Sequence, residues 1–323
     1  MRPQEKLTGR DHGGGIDAAI EVYGGDRQSW VDLSTGINPV PYPFSIPEQM
    51  SWTDLPDLDA VTRTEMAVRA HWNIPDRAQL CLVPGLSIAI AQLPHIIEGQ
   101  RVSVVEPTYN EYRASFEAAG WRVSSSNSDV HIVVSPNNPT GTWAEASLVT
   151  RSGILILDES FADTVPDRSL SEHAENPGVL ILKGIGKFWG LAGLRFGAVF
   201  GDAELVSRLK LRLGPWAVSG PALEIARQAL SDISWATTTR QSLSRKAGRL
   251  DDLMAPLKMG PARGTSLFRL YSVADAVALQ HALASDHIWT RTFPNNEHLI
   301  RLGIPRDDAS FARVSDAVDR FLS

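Results

Sequence analysis

The feature that most constrains the fold is a series of short apolar runs between residues 79 and 201. They read "QLCLVPG", "RVSVVEP", "DVHIVVSP", "GILILDES", "GVLILKGIG" and "RFGAVFG". Around and between them, "DAVTRTEMAVRAHW", "LSIAIAQLPHII" and "NEYRASFEAAG" carry apolar residues at helical spacing. Short β-rich runs alternating with helices predict an α/β domain with a largely parallel sheet covered on both faces. After about residue 215 the rhythm changes. "PALEIARQALSD" and the stretch from Trp235 to Met254 read as long helices, and "TSLFRLYS", "HIWTRTF" and "HLIRLGI" as strands. Helices are expected at "VADAVALQHALAS" and "ASFARVSDAVDRFL". The expected organisation is a Gly- and Pro-rich extended arm over 1–47, a large α/β domain over 48–215, and a smaller α+β domain with an antiparallel sheet over 216–323.

Composition removes several function classes. Net charge is −6, from 31 basic and 37 acidic residues, so the clustered positive excess of a nucleic-acid surface is missing. Cys81 is the one cysteine, which excludes an internal disulfide and fits a reducing compartment. It lies in the apolar run "LCLVPG", so a buried thiol is expected rather than a nucleophile. No apolar stretch approaches the ~20 residues of a membrane span, and "MRPQEKLTGRDHGGG" lacks the apolar core of a signal peptide. A cytoplasmic protein is expected, with no membrane or nucleic-acid partner.

In a parallel α/β sheet, ligands sit beyond the carboxyl ends of the strands. The residues directly after each apolar run are therefore the informative ones. "PGLS" places Gly85 at a turn, with the N–H groups of Leu86 and Ser87 opening a helix; that is either an ordinary turn or an anion site. "PTYNEY" offers Tyr109, whose ring either packs in the core or stacks on a flat ligand. "SPNNPTG" is a rigid turn with two amides. "LILDES" leaves Asp158 at a strand end, as a helix cap or as a partner for a cation. "KGIGKFWGLAGLRFG" brings Lys183, Lys187 and Arg195 close together. A lysine used covalently attacks a carbonyl, and neighbouring positive charge helps keep its amine unprotonated. An aldehyde with a phosphate handle, an aromatic ring, a ring nitrogen wanting a carboxylate and an oxygen wanting an amide meets every group in this series. Pyridoxal 5′-phosphate has all four.

The chain resembles the fold-type I pyridoxal-phosphate enzymes, aspartate-aminotransferase-like, through "PTYNEY", "SPNNPTG", "LILDESF" and "GKFWGLAGLRFG" in that order. "HGGG", "WVDLSTGINPVPYP", "GPWAVSGPAL" and "GTSLFRL" are similar to the branch that decarboxylates L-threonine O-3-phosphate in cobalamin biosynthesis. The resemblance implies a lyase giving (R)-1-amino-2-propanol O-2-phosphate, with a histidinol-phosphate-type or other class I/II aminotransferase as the alternative. It implies that Lys187 carries the cofactor, that Arg195 and the turn of Gly85, Leu86 and Ser87 hold its phosphate, and that Asp158 meets its ring nitrogen. Asn138 takes its ring oxygen and Tyr109 stacks on it, by the same resemblance. Arg301 is implied for the substrate carboxylate, with Asn38 and His12 near the substrate, and the assembly is implied to be a homodimer. No metal is implied.

Three departures stand out. Gly184 occupies the position, three before the lysine, where relatives carry a hydroxyl residue. Phe161 replaces a tyrosine common in aminotransferases, and Leu55 replaces a tyrosine that those enzymes supply from the partner subunit. The last two favour the decarboxylase branch. Lys183 is expected to be structural or peripheral. Arg269 and Arg291 are further candidates for a substrate phosphate, with solvent-facing strand positions the preferred expectation for both.

Overall fold

The computed structural model describes residues 13–150 and 153–323. They form two compact units, one of residues 41–237 and one joining the segment before residue 41 to 238–323. These divisions differ from the expected ones at 47/48 and 215/216, for two physical reasons. The N-terminal segment is not an extended arm: it contains a helix at Ile16–Tyr23, and its strand Val31–Asp32 pairs with Ile288–Trp289 of the C-terminal region. Helix Gly220–Ser231 packs on helix Leu58–Trp72, where Thr64 Oγ1 donates to the Leu223 carbonyl at 3.3 Å, and so belongs to the larger unit.

The strands among the described residues are β1 Val31–Asp32, β2 Gln79–Val83, β3 Arg101–Val104, β4 Arg122–Val123, β5 Val130–Val134, β6 Ile154–Asp158, β7 Val179–Gly184, β8 Gly197–Gly201, β9 Arg263–Thr265, β10 Phe268–Ser272, β11 Ile288–Trp289, β12 Arg291–Phe293 and β13 Asn296–Gly303. In the larger unit β2 to β8 build one sheet in the order β2-β8-β7-β6-β5-β3-β4. The pairings among β3 to β7 are all parallel, whereas β8 runs antiparallel to both β7 and β2. The fold is thus α/β with a mostly parallel central sheet. The reversal at β8 has a local cause. Between β7 and β8 the chain holds only a 3-10 turn at Ala192–Leu194, and without a crossover helix it must double back. That doubling-back loop carries Lys187 and Arg195.

β7 and β8 are buried at every position, which explains their apolar character, interrupted in β7 by Lys183. Helix Leu58–Trp72 starts where Asp57 accepts from the Ala60 N–H at 2.7 Å and ends at Asn73 in a left-handed conformation. The smaller unit holds an antiparallel sheet in the order β12-β13-β10-β9, as expected, and a separate parallel pair β1-β11 that two-residue strands do not announce in sequence. Among the described residues no helix is long and apolar enough to cross a membrane.

Candidate active site

At the carboxyl ends of the parallel strands the larger unit opens a cleft. Gly85, Leu86 and Ser87 line it after β2, and Tyr109 lies beyond β3. Asn138 comes after β5, Asp158 ends β6, and Lys187 and Arg195 come from the loop after β7. Residues from Gly85 to Arg195 converge because parallel strands deliver the loops at their carboxyl ends to one edge.

One end of the cleft is built for an anion. Helix Leu86–Ile96 begins at Gly85, whose φ is +86°, and no side chain caps its first N–H groups. A Cβ on Gly85 would overlap Arg195 Nη2, so the guanidinium rests directly against this backbone. Arg195 itself has φ +55° and anchors Nη1 on the Ala192 carbonyl at 3.0 Å. Glycine at 85 is favoured by its dihedral angle, and its missing side chain leaves room for the cation beside it. At Gly184 a Cβ would stand 3.4 Å from both the Leu86 side chain and the Phe196 carbonyl, ordinary contact distances, so a side chain could begin there.

Asp158 is 3% exposed. One carboxylate oxygen, Oδ1, accepts from the Ser160 N–H at 2.8 Å and also from the Ser160 hydroxyl. The other, Oδ2, accepts from the Tyr112 hydroxyl at 2.7 Å. Burial raises the Asp158 pKa above the usual carboxylate value, while the Ser160 and Tyr112 hydrogen bonds and the charge of Lys187 act downward. Burial raises both tyrosines as well, Tyr112 strongly, which keeps them neutral donors. Tyr109 and Tyr112 meet edge to face, with centroids 6.4 Å apart. Tyr112 and Ser160 are not among the residues that the sequence singles out. Tyr112 lies three residues after Tyr109, at the start of helix Glu111–Ala118, and in sequence nothing separates it from a tyrosine that merely packs in the core.

The two lysines separate cleanly. Lys187 lines the cleft, its Nζ 5.6 Å from the centre of the Phe161 ring. Lys183 is 2% exposed and turned away from it. Its Nζ donates to Glu159 Oε2 at 2.8 Å and to Ser169 Oγ at 3.0 Å. Glu159 also accepts from the Leu170 N–H at 2.7 Å, so the buried charges are fully engaged. Behind the lysine loop, Asp163 accepts from both Trp189 Nε1, at 2.9 Å, and Trp72 Nε1, at 3.0 Å. Trp189 stacks on Trp235 at 5.2 Å, and its carbonyl accepts from the Tyr42 N–H. This packing fixes the segment on which Lys187 is carried. Cys81 is buried, and desolvation pushes its thiol up to about 11, as a structural cysteine requires.

The residues expected to meet substrate have a different setting. His12 lies outside the described residues. Asn38 is 3% exposed, with Oδ1 accepting from the Val40 N–H at 3.0 Å. Arg301 on β13 is buried; Nη2 donates to the Ser34 carbonyl at 2.5 Å, and its guanidinium lies over the Phe268 ring. Arg291 on β12 stands directly opposite it in the sheet. Burial, then the Arg291 charge, pulls Arg301 down to about 9, with Asp32 acting upward. Gly13 packs against the same place, since a Cβ there would overlap the Ser34 carbonyl and lie 3.5 Å from Arg301 Nη2. The expectation of solvent-facing arginines is corrected at both sites. Arg291 is 9% exposed because its strand is covered. Arg269 forms a two-point bridge to Asp251, at 2.9 and 2.7 Å, which also accepts from the Tyr271 hydroxyl. That bridge removes Arg269 as an anion donor.

A mostly parallel sheet with a lysine, a buried carboxylate and an arginine-backed helix start at its carboxyl edge defines a class, and comparison with known proteins agrees. The chain belongs to the aminotransferase class I and II family, whose model matches residues 47–317. A relative from Sinorhizobium sp named threonine-phosphate decarboxylase is 37% identical over 327 residues, covering 96% of this chain and 97% of its own. One of the same name from Pseudomonas aeruginosa is 35% identical, covering 95% and 97%. Among solved structures, histidinol-phosphate aminotransferase from Sinorhizobium meliloti in complex with pyridoxal-5′-phosphate superposes with a TM-score of 0.77 at 18% identity, covering 96% of this chain and 95% of its own.

Proposed function

We propose that the cleft holds pyridoxal 5′-phosphate and that the protein decarboxylates L-threonine O-3-phosphate to (R)-1-amino-2-propanol O-2-phosphate, a reaction of cobalamin biosynthesis. The observation that carries the cofactor is the convergence of Lys187, Asp158 and the Gly85–Arg195 contact on one cleft. A phosphate suits the uncapped helix start and the adjoining guanidinium. A cationic ring nitrogen suits a carboxylate that burial would otherwise neutralise. The substrate rests on the two decarboxylase relatives, which match nearly the whole chain at 35–37% identity.

When bound, the cofactor supplies an electron sink for the pair left at Cα of the substrate. The protein's part is to choose which Cα bond is lost. Arg195 and the N–H groups of Leu86 and Ser87 would hold the phosphate; Asp158 would hold the ring nitrogen's proton; Tyr109 would cover one face, and Asn138 would donate to the ring oxygen. Lys187 would hold the cofactor covalently, and once the substrate amine has displaced it the freed amine would be placed to give Cα the proton that replaces the lost carboxylate. Substrate anchoring falls, by the family resemblance, to Arg301, with Asn38 and His12. Phe161 in place of tyrosine removes one hydroxyl that aminotransferases use.

We also propose a cytoplasmic homodimer. Met50 and Leu55 line one surface recess and Leu58 and Trp216 another that shares Pro56 and Asp57 with it; each of the four is more than half exposed, and a second copy would bury them. Supplying threonine phosphate without any keto acid tests the reaction: carbon dioxide release with no amino transfer is expected. Strict dependence on 2-oxoglutarate would make the protein an aminotransferase.

A further inference from the structure

We propose that Tyr112 is a positioning residue that holds the Asp158 carboxylate oriented and ionised for the ring nitrogen of the cofactor. This rests on the reading that pyridoxal phosphate occupies the cleft. Asp158 ends β6 at 3% exposure with both carboxylate oxygens engaged by the protein, so its orientation is set by neighbouring groups. Ser160 serves Oδ1 twice, through N–H and hydroxyl, from the same chain turn. The Oδ2 atom has the Tyr112 hydroxyl at 2.7 Å, from a different element, helix Glu111–Ala118. Donors from two independent directions fix the carboxylate plane, which Ser160 alone would leave able to swing.

Tyr112 is 0% exposed, and a phenylalanine would fill the same apolar space without a polar atom to satisfy. The phenol is justified by what its proton does. Its ring is braced by Tyr109, itself in the cleft, so the stacking surface and the carboxylate are tied to one helix start. The charged and titratable groups around Asp158 are Tyr112 and Tyr109 from this helix segment and Lys187 from the lysine loop. Glu159, next in sequence, is engaged by Lys183. The Tyr112 phenol donates to the carboxylate, and removing it leaves burial less opposed. Asp158 then takes a proton at higher pH, and a neutral acid no longer holds a cationic ring nitrogen.

The test measures pyridoxal phosphate affinity by equilibrium dialysis from pH 5 to pH 9 for wild type, Tyr112→Phe and Ser160→Ala, with melting of each cofactor-free protein. Tyr112→Phe is expected to move the acid limb of binding upward by about one pH unit. Affinity should fall several-fold near pH 6 and much less at pH 8, with melting little changed. Ser160→Ala should move the limb in the same direction. A Tyr112→Phe profile superimposed on wild type overturns the inference. So does an equal loss at every pH accompanied by a lower melting temperature, which marks a packing role. If wild type binds no cofactor at any pH, the reading of the cleft itself fails, and the two failures are told apart by the wild-type curve.

Discussion

Two faces of one sheet edge each hold a lysine and a carboxylate, and they behave oppositely. On the dry face, Lys183 and Glu159 are both buried and closed on each other at 2.8 Å, with Ser169 and the Leu170 N–H completing the donors. On the cleft face, Asp158 is held by neutral hydroxyls and Lys187 lies half-buried over Phe161. The sequence supplies the four groups as "DE" and "KGIGK", almost adjacent. A pair that satisfies itself is structural and inert. Two groups that each line a cavity can engage a ligand there.

Substitution at the two lysines breaks this comparison most sharply. Lys187→Ala is expected to lower turnover on threonine phosphate by roughly 10²–10⁴-fold or more while leaving the melting temperature near wild type, measured by carbon dioxide release and calorimetry. Turnover equal to wild type would remove Lys187 from the mechanism. Lys183→Met should do the reverse to stability: an unpaired buried Glu159 costs about 3–5 kcal/mol in denaturant unfolding, and Lys183→Met with Glu159→Leu should recover most of it. If the single variant unfolds like wild type, the pair is not closed as described.

Smaller effects sharpen the cleft side. Gly85→Ala sets a side chain at φ +86° against Arg195, which strains the turn by about 1–3 kcal/mol and should weaken cofactor affinity, read by dialysis, more than it lowers melting. Unchanged affinity would place the phosphate elsewhere. Asp158→Asn gives the smallest and least intuitive change. Because burial raises the folded pKa of Asp158, the folded chain binds that proton more tightly than the unfolded chain. The contribution of Asp158 is then most favourable at low pH and is lost as pH rises through the folded pKa. At pH 7 the cofactor-free Asn variant should melt at the wild-type temperature or slightly above it, while binding cofactor more weakly. A large loss of stability at pH 7 would contradict the direction of that shift.

Much of the larger unit is legible in the sequence because the strands at the centre of its sheet are largely buried and read as apolar runs. The residues lining the cleft are legible because most of them lie in the loops that follow such runs. Tyr112 is not, since a helical tyrosine looks the same in sequence whether it packs or donates. Arg269 and Arg291 are not either. Strand positions near the chain's end show no periodicity that separates a bridge to Asp251 from a buried cation opposite Arg301. The N-terminal segment reads as an extended arm because Gly and Pro mark breaks in local structure but say nothing of long-range pairing. Its strand finds a partner far along the chain, Val31 opposite Ile288.

The sequence by itself determined the alternation of strands and helices, and with it which loops meet at one edge, because apolar periodicity and turn chemistry are local properties. Only the tertiary structure decided which lysine is closed in an ion pair, which tyrosine reaches Asp158 and which arginines are buried together. Those outcomes depend on distances between elements remote in the chain, where burial strengthens or neutralises charge according to the partner it finds.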